Sequence, residues 1–173
     1  VLKNVLTGCL GAVSTLTSIM QLFRREEVAL AMQCLERVEL AHKARERTDS
    51  LSGGQMQRVG IARALAQRPK VILADEPVAS LDPKTARLVL QYLRDATREL
   101  GITVLCNLHQ VEYAREFGDR IVGLAHGKLV FDGTASSMTE DDLQRIYPGQ
   151  TTQAPSTSAK AGELITPCAQ LRV

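Results

Sequence analysis

Apolar and polar positions along this chain switch between two periods, and the switches mark its elements. From Glu26 to Leu40 apolar residues fall at Val28, Ala31, Met32, Leu35 and Val38, the spacing of an amphipathic helix. Before it, Gly11 to Thr17 is small and polar apart from Leu16 and reads as a loop or a short helical excursion. After it, Ala41 to Asp49 is rich in charge and leads into a glycine pair. A second helix is expected from about Gly53 to Gln67, stopping before Pro69. Val71 to Ala74 is a continuous apolar run, the pattern of a strand buried on both faces. Asp82 caps a third helix with Pro83 at its first position, Val89, Leu93, Ala96 and Leu100 on one face, and Gly101 at its end.

Ile102 to Cys106 is the next buried strand and Val111 to Phe117 a short helix. Arg120 to Ala125 and Lys128 to Phe131 are two strands joined through His126-Gly127, a tight-turn signal. Thr139 to Tyr147 closes the pattern as a small helix. Strand, helix, strand, helix, strand predicts an α/β fold with a mostly parallel sheet and crossover helices. From Pro148 onward Thr, Ser, Gln, Ala and Pro dominate, so residues 148–173 are expected to form a flexible tail.

Composition narrows the class. With 45% hydrophobic and 23% charged residues the chain can bury a core, and its length suits one domain. A net charge of +2, from 21 basic and 19 acidic residues, gives no bulk attraction to nucleic acid. No apolar run reaches the roughly 18 residues of a membrane span. Lys3, Asn4, Gly8 and Gly11 break the apolar opening, which lacks a signal-peptide pattern. The four cysteines, Cys9, Cys34, Cys106 and Cys168, are scattered without C-x-x-C pairing, so reduced thiols are expected rather than zinc or a disulfide framework.

Four segments carry candidate phosphate chemistry. In Leu51-Ser52-Gly53-Gly54-Gln55 a serine and two glycines sit where a helix begins, offering unpaired N–H groups and a positive dipole end to an anion. A serine N-cap after a turn is the plainer reading of Ser-Gly-Gly alone. Asp75 and Glu76 end an apolar strand, and strand C-termini are where open α/β sheets bind ligands. Mg²⁺ is held through carboxylate and water, which suits Asp75. Glu76 can accept a proton from an attacking water, a role worth roughly 10²–10⁴-fold in rate. Ser80-Leu81-Asp82 forms a turn in which Asp82 is at least a helix cap. His109 follows the Ile102–Cys106 strand; alone it would be taken as structural, as His42 and His126 are.

The stretch LSGGQMQRVGIARAL, followed by DEPVASLDP and His109 in this order, resembles the ATPases of ABC transporters. The resemblance implies the P-loop NTPase fold of these cassettes, with a mostly parallel sheet and a helical subdomain. Residues 1–147 would then be a partial ATPase domain: 1–50 part of the helical subdomain, 51–147 the signature helix and Walker B core. It further implies that Ser52, Gly53, Gly54 and Gln55 contact the γ-phosphate of ATP held by an opposing subunit. Asp75 would serve Mg²⁺, Glu76 would be the catalytic carboxylate, Asp82 would lie in the D-loop coupling two nucleotide sites, and His109 would be the switch histidine. Gly60 stands where many relatives carry alanine. The opening VLKNVLTGCLG, DEPVASLDP and NLHQVEYA are similar to phosphonate-import ATP-binding subunits, a likeness that runs from Val1 to about Gly133.

That likeness implies a homodimer of ATPase subunits on the cytoplasmic face of the cell membrane, beneath transmembrane permease subunits. A solute-binding protein would feed the permease, and no nucleic acid would be involved. No G-x-x-x-x-G-K-[ST] occurs in the sequence, so the chain is expected to be the C-terminal part of a longer ATPase and inactive by itself. Two other readings stand beside this one. An ABC ATPase outside transport would carry tandem cassettes or coiled-coil inserts, and a truncated non-catalytic module would lend its signature motif to an intact partner.

Overall fold

Helix caps set most element ends in the computed structural model, which describes residues 1–12, 22–148 and 169–172. The order is α1 (Leu2–Leu6), a 3₁₀ turn (Thr7–Ala12), α2 (Arg25–Arg37), α3 (Gly53–Ala66), β1 (Val71–Asp75), α4 (Pro83–Leu100), β2 (Thr103–Leu108), α5 (Val111–Phe117), β3 (Arg120–Ala125), β4 (Lys128–Gly133), α6 (Glu140–Ile146) and β5 (Ala169–Arg172). Most of the Gly11–Thr17 stretch lies outside the described residues; Gly11 and Ala12 are the last two residues of the 3₁₀ turn. The helix expected to reach Leu40 stops at Arg37, because Glu39 takes a left-handed backbone (φ 56°), although Val38 and Leu40 are still buried. Two short 3₁₀ turns, Ala41–Lys43 and Thr48–Ser50, bracket the charged stretch that follows.

The chain divides into two compact units. The first holds residues 1–72 and 77–104, with a core that includes Val5, Leu35, Val38, Leu40, Val59 and Val89. Within it α1 packs on α2 and α3, and Gly8 lies so close to the Arg63 carbonyl that a Cβ there would overlap it. Helix α4 is the most amphipathic element, burying Ala86, Val89, Leu90, Tyr92, Leu93 and Ala96. It starts at the Asp82 cap with Pro83 behind it, and ends where Gly101 turns left-handed (φ 64°).

The second unit, residues 73–76 and 105–173, is built on the sheet, whose order is β1-β2-β5-β3-β4. β1 and β2 begin in the first unit and end in the second. Thr103 N–H donates to the Lys70 carbonyl at 3.0 Å and Glu76 N–H to the Asn107 carbonyl at 3.2 Å, so the two strands run the same way with Asp75 opposite Asn107. β5 is antiparallel to both β2 and β3, which makes β1, β2 and β3 share one direction, while β4 and β5 run against them. His126 (φ 50°) and Gly127 (φ 73°) close the β3–β4 hairpin, both with the positive φ of a type I′ turn.

β1 is not buried on both faces: Val71 is 53% and Leu73 75% exposed, and Ile72 alone of these three is buried. The reason is missing cover, since none of the described residues packs over the face bearing Val71, Leu73 and Asp75. The flexible tail expected over 148–173 falls mostly on residues outside the described ones. For Ala169–Arg172 the expectation does not hold: Leu171 stands opposite Cys106 on one side and Ile121 on the other, where β2 and β3 leave their hydrogen-bonding edges facing one slot. Among the described residues, no helix is long and apolar enough to cross a membrane.

Candidate functional site

The candidate residues fall into two groups, one in each unit. In the first unit Ser52 is the N-cap of α3. Its Oγ accepts from the Gln55 N–H at 3.3 Å while the Gln55 side-chain carbonyl accepts from the Ser52 N–H at 3.0 Å, a reciprocal capping box. The plainer reading of Ser52 as a cap therefore holds as geometry. The N–H groups of Gly53 and Gly54 belong to the first turn, where a helix has no partner of its own for them, and they remain the donors an anion would use. Gly54 is buried against α4: a Cβ on it would overlap Thr85 Cγ2.

Asp82 caps α4 through Oδ1, which accepts from the N–H groups of Lys84 at 3.1 Å and Thr85 at 3.0 Å. The Thr85 hydroxyl also bonds to it, and this bond, followed by the Thr85 and Lys84 N–H groups, holds the carboxyl below the usual carboxylate range. Ser80 enters the turn with a left-handed backbone (φ 63°). Thr85 thus bridges Gly54 of the LSGGQ segment and Asp82 of the Ser80-Leu81-Asp82 turn, a link the sequence did not reveal.

In the second unit β1 ends at Asp75, which is exposed, and Glu76, half-buried, follows it. Glu76 has a left-handed backbone (φ 45°), sparsely populated for a residue with a side chain, and its N–H bond to the Asn107 carbonyl holds it there. From that position its Oε1 lies 2.6 Å from His109 Nε2. With Glu76 as carboxylate, Nε2 carries the hydrogen and donates. Asn107 Nδ2 donates to Asp75 Oδ1 at 2.8 Å. Two carboxylates at the end of one strand are thereby each fixed by a side chain from the end of the next. Behind them Cys106 is buried, and burial, with the Asp75 charge adding to it, pushes its thiol up to about 12.

The donor set fits a magnesium ion. Asp75 presents a hard carboxylate at the surface, already oriented by Asn107. Among the described residues no group of three or more His, Cys, Asp or Glu could hold a metal unaided, but Mg²⁺ is usually bound through one or two carboxylates together with substrate phosphates and water. Asn107 is the residue that sequence reading passed over in this group. Only the register between β1 and β2, which a single sequence does not show, puts it opposite Asp75. His126 serves the hairpin turn.

A family model described as ABC transporter matches residues 6–79. The chain is 56% identical over 157 residues to a phosphite import ATP-binding protein of Stutzerimonas stutzeri, covering 91% of this chain and 57% of that protein. It is 52% identical over 147 residues to a phosphonates import ATP-binding protein of Halalkalibacterium halodurans, with 85% and 57% covered. Among solved structures it resembles a metal-chelate type ABC transporter in an inward-facing conformation, at a TM-score of 0.78 and 30% identity, with 85% of this chain and 57% of the other covered. A bacterial ABC transporter cassette solved as a dimer gives a TM-score of 0.56 at 40% identity, with 65% and 49% covered. The chain spans about 57% of the length of these curated relatives.

Proposed function

This chain belongs to the ABC transporter ATPases, and on that premise we propose that the whole protein hydrolyses ATP to energise the import of a phosphonate or a related oxyanion such as phosphite. The observation that carries the chemistry is the pairing of Asp75 with Asn107 and of Glu76 with His109 where β1 and β2 end. Glu76 accepts the proton of the attacking water, and the His109 imidazole keeps its carboxylate aimed and takes part in sensing the γ-phosphate. Asp75 would hold Mg²⁺, whose chemistry is to neutralise charge developing on the transferred phosphoryl group. A hard, surface-facing carboxylate with one oxygen pinned is suited to that task.

Ser52, Gly53, Gly54 and Gln55 would offer backbone and side-chain donors to the γ-phosphate of ATP bound by the opposing subunit of a head-to-tail dimer. Asp82, held anionic by its cap, would lie in the loop that couples the two sites. The dimer would work as a peripheral subunit at the cytoplasmic face of the membrane, with α2 and its flanks turned toward a transmembrane permease and a solute-binding protein delivering cargo. The present residues contain no G-x-x-x-x-G-K-[ST], so by themselves they neither bind ATP tightly nor turn it over.

The test is uptake of labelled phosphonate or phosphite into vesicles carrying the whole protein and its permease. ATP-dependent uptake that disappears in Glu76→Gln is expected. Uptake that persists undiminished in that variant would sink the reading.

A further inference from the structure

The short helix α6 packs on β3 and β4 and is tied down at both ends. At its start, Glu140 faces Arg115 of α5 at 3.8 Å, and the same arginine donates to the Met138 carbonyl at 3.3 Å. At its end, the Tyr147 hydroxyl donates to the backbone carbonyl of His109 at 3.1 Å. Tyr147 follows Ile146, which is buried against β3 where Gly123 has no side chain: a Cβ there would stand 2.5 Å from Ile146 Cδ1. The hydroxyl therefore projects from a seated anchor.

The loop it reaches is poorly held by its own sequence. His109 is the first residue past β2, and Gln110, the N-cap of α5, makes no side-chain capping bond. A histidine on an uncapped junction between a strand and a seven-residue helix would sample several peptide orientations, each aiming the imidazole differently. A bond to its own carbonyl selects one of them, and in the selected one Nε2 meets Glu76 at 2.6 Å.

We propose that Tyr147 is a positioning residue for the Glu76–His109 pair, fixing the His109 peptide through its hydroxyl. The proposal rests on the reading of Glu76 and His109 as the hydrolytic pair. Tyr147 touches neither substrate nor metal in this scheme; its effect passes through the backbone of His109.

Tyr147→Phe removes one oxygen and keeps the ring, so the fold is retained. Two readouts are taken. In the whole protein assembled with its permease, the kcat for ATP hydrolysis is expected to fall about three- to tenfold with KM unchanged, the effect of one hydrogen bond. In the whole protein labelled with ¹⁵N-histidine, the ring signals of His109, assigned with His109→Gln, are expected to shift while those of His42 and His126 stay. An unmoved His109 signal overturns the proposal whatever the turnover. A moved signal with unchanged kcat also overturns it if His109→Gln is inactive. If His109→Gln keeps full turnover, the reading of His109 as part of the hydrolytic pair fails first and takes the proposal with it.

Discussion

Gly54 and Gly60 lie on the same helix and predict opposite outcomes on replacement by alanine. At Gly60 a Cβ would meet nothing within 4 Å, so Gly60→Ala gains helix propensity at no steric cost, about 0.5–1 kcal/mol of stability. At Gly54 the new methyl would overlap Thr85 Cγ2, with Thr85 Cβ at 3.6 Å and Oγ1 at 3.9 Å. Only one of the three nearest atoms clashes, so the strain has two exits. Rotating Thr85 about χ1 clears Cγ2 but moves its hydroxyl off Asp82, and separating α3 from α4 opens buried packing around Val59 and Val89. Overpacking of this kind costs about 1–3 kcal/mol, set against a propensity gain smaller in a first turn than in a helix interior, leaving a net loss of about 1–2 kcal/mol. Thermal unfolding followed by circular dichroism reads this directly: about 2–8 °C lower for Gly54→Ala and about 1–4 °C higher for Gly60→Ala at this chain length. If both variants rise together, the close approach of Gly54 to α4 is wrong and the glycine has to be explained by anion access alone.

Three further outcomes follow from particular groups. Because hydrogen bonds lower the Asp82 pKa in the folded chain, its contribution is complete above the ordinary carboxylate value near 4 and is lost as pH falls through the lower folded value. Asp82→Asn keeps a capping residue without the titration, so wild type and variant should converge in urea-unfolding stability on acidification; a constant gap would exclude this origin. Burial pushes the Cys34 thiol to about 11 and the Cys106 thiol to about 12, so at about pH 8 maleimide should label both at least a hundredfold more slowly than an unperturbed thiol. Peptide mass spectrometry checks this, and fast labelling before denaturant is added would contradict it. The Tyr147→Phe effect on kcat completes the set.

Much of the fold was legible because local chemistry and global position agree. Asp82 followed by Pro83 reads as a helix start and Gly101 as its end, and both hold. The run Val71 to Ala74 reads correctly as a strand, yet its continuous hydrophobicity predicts cover on both faces, and among the described residues one face has none. β2 continues two residues past the expected Cys106, since Asn107 is polar in sequence but paired in register with Asp75. Ala169–Arg172 gives no strand signal beyond four residues after a low-complexity stretch, and its pairing depends on the slot between β2 and β3, a tertiary property. The candidate site followed the same rule. Asp75, Glu76 and His109 stand at strand ends and could be named from their positions in the chain. Thr85, Asn107 and Tyr147 act by contact with those residues or with Gly54 and Asp82, and no pattern in one sequence foretells a contact.

Hydrolysis by the whole protein with Glu76 and with Glu76→Gln, at saturating ATP and Mg²⁺, tests the central claim most directly. The glutamine keeps the shape of the side chain and its contact with His109 but cannot accept a proton from water. Turnover should fall by roughly 10²–10⁴-fold while ATP binding is retained. A variant that binds ATP and hydrolyses it at the wild-type rate would contradict the assignment of Glu76, and with it the role given to the paired ends of β1 and β2.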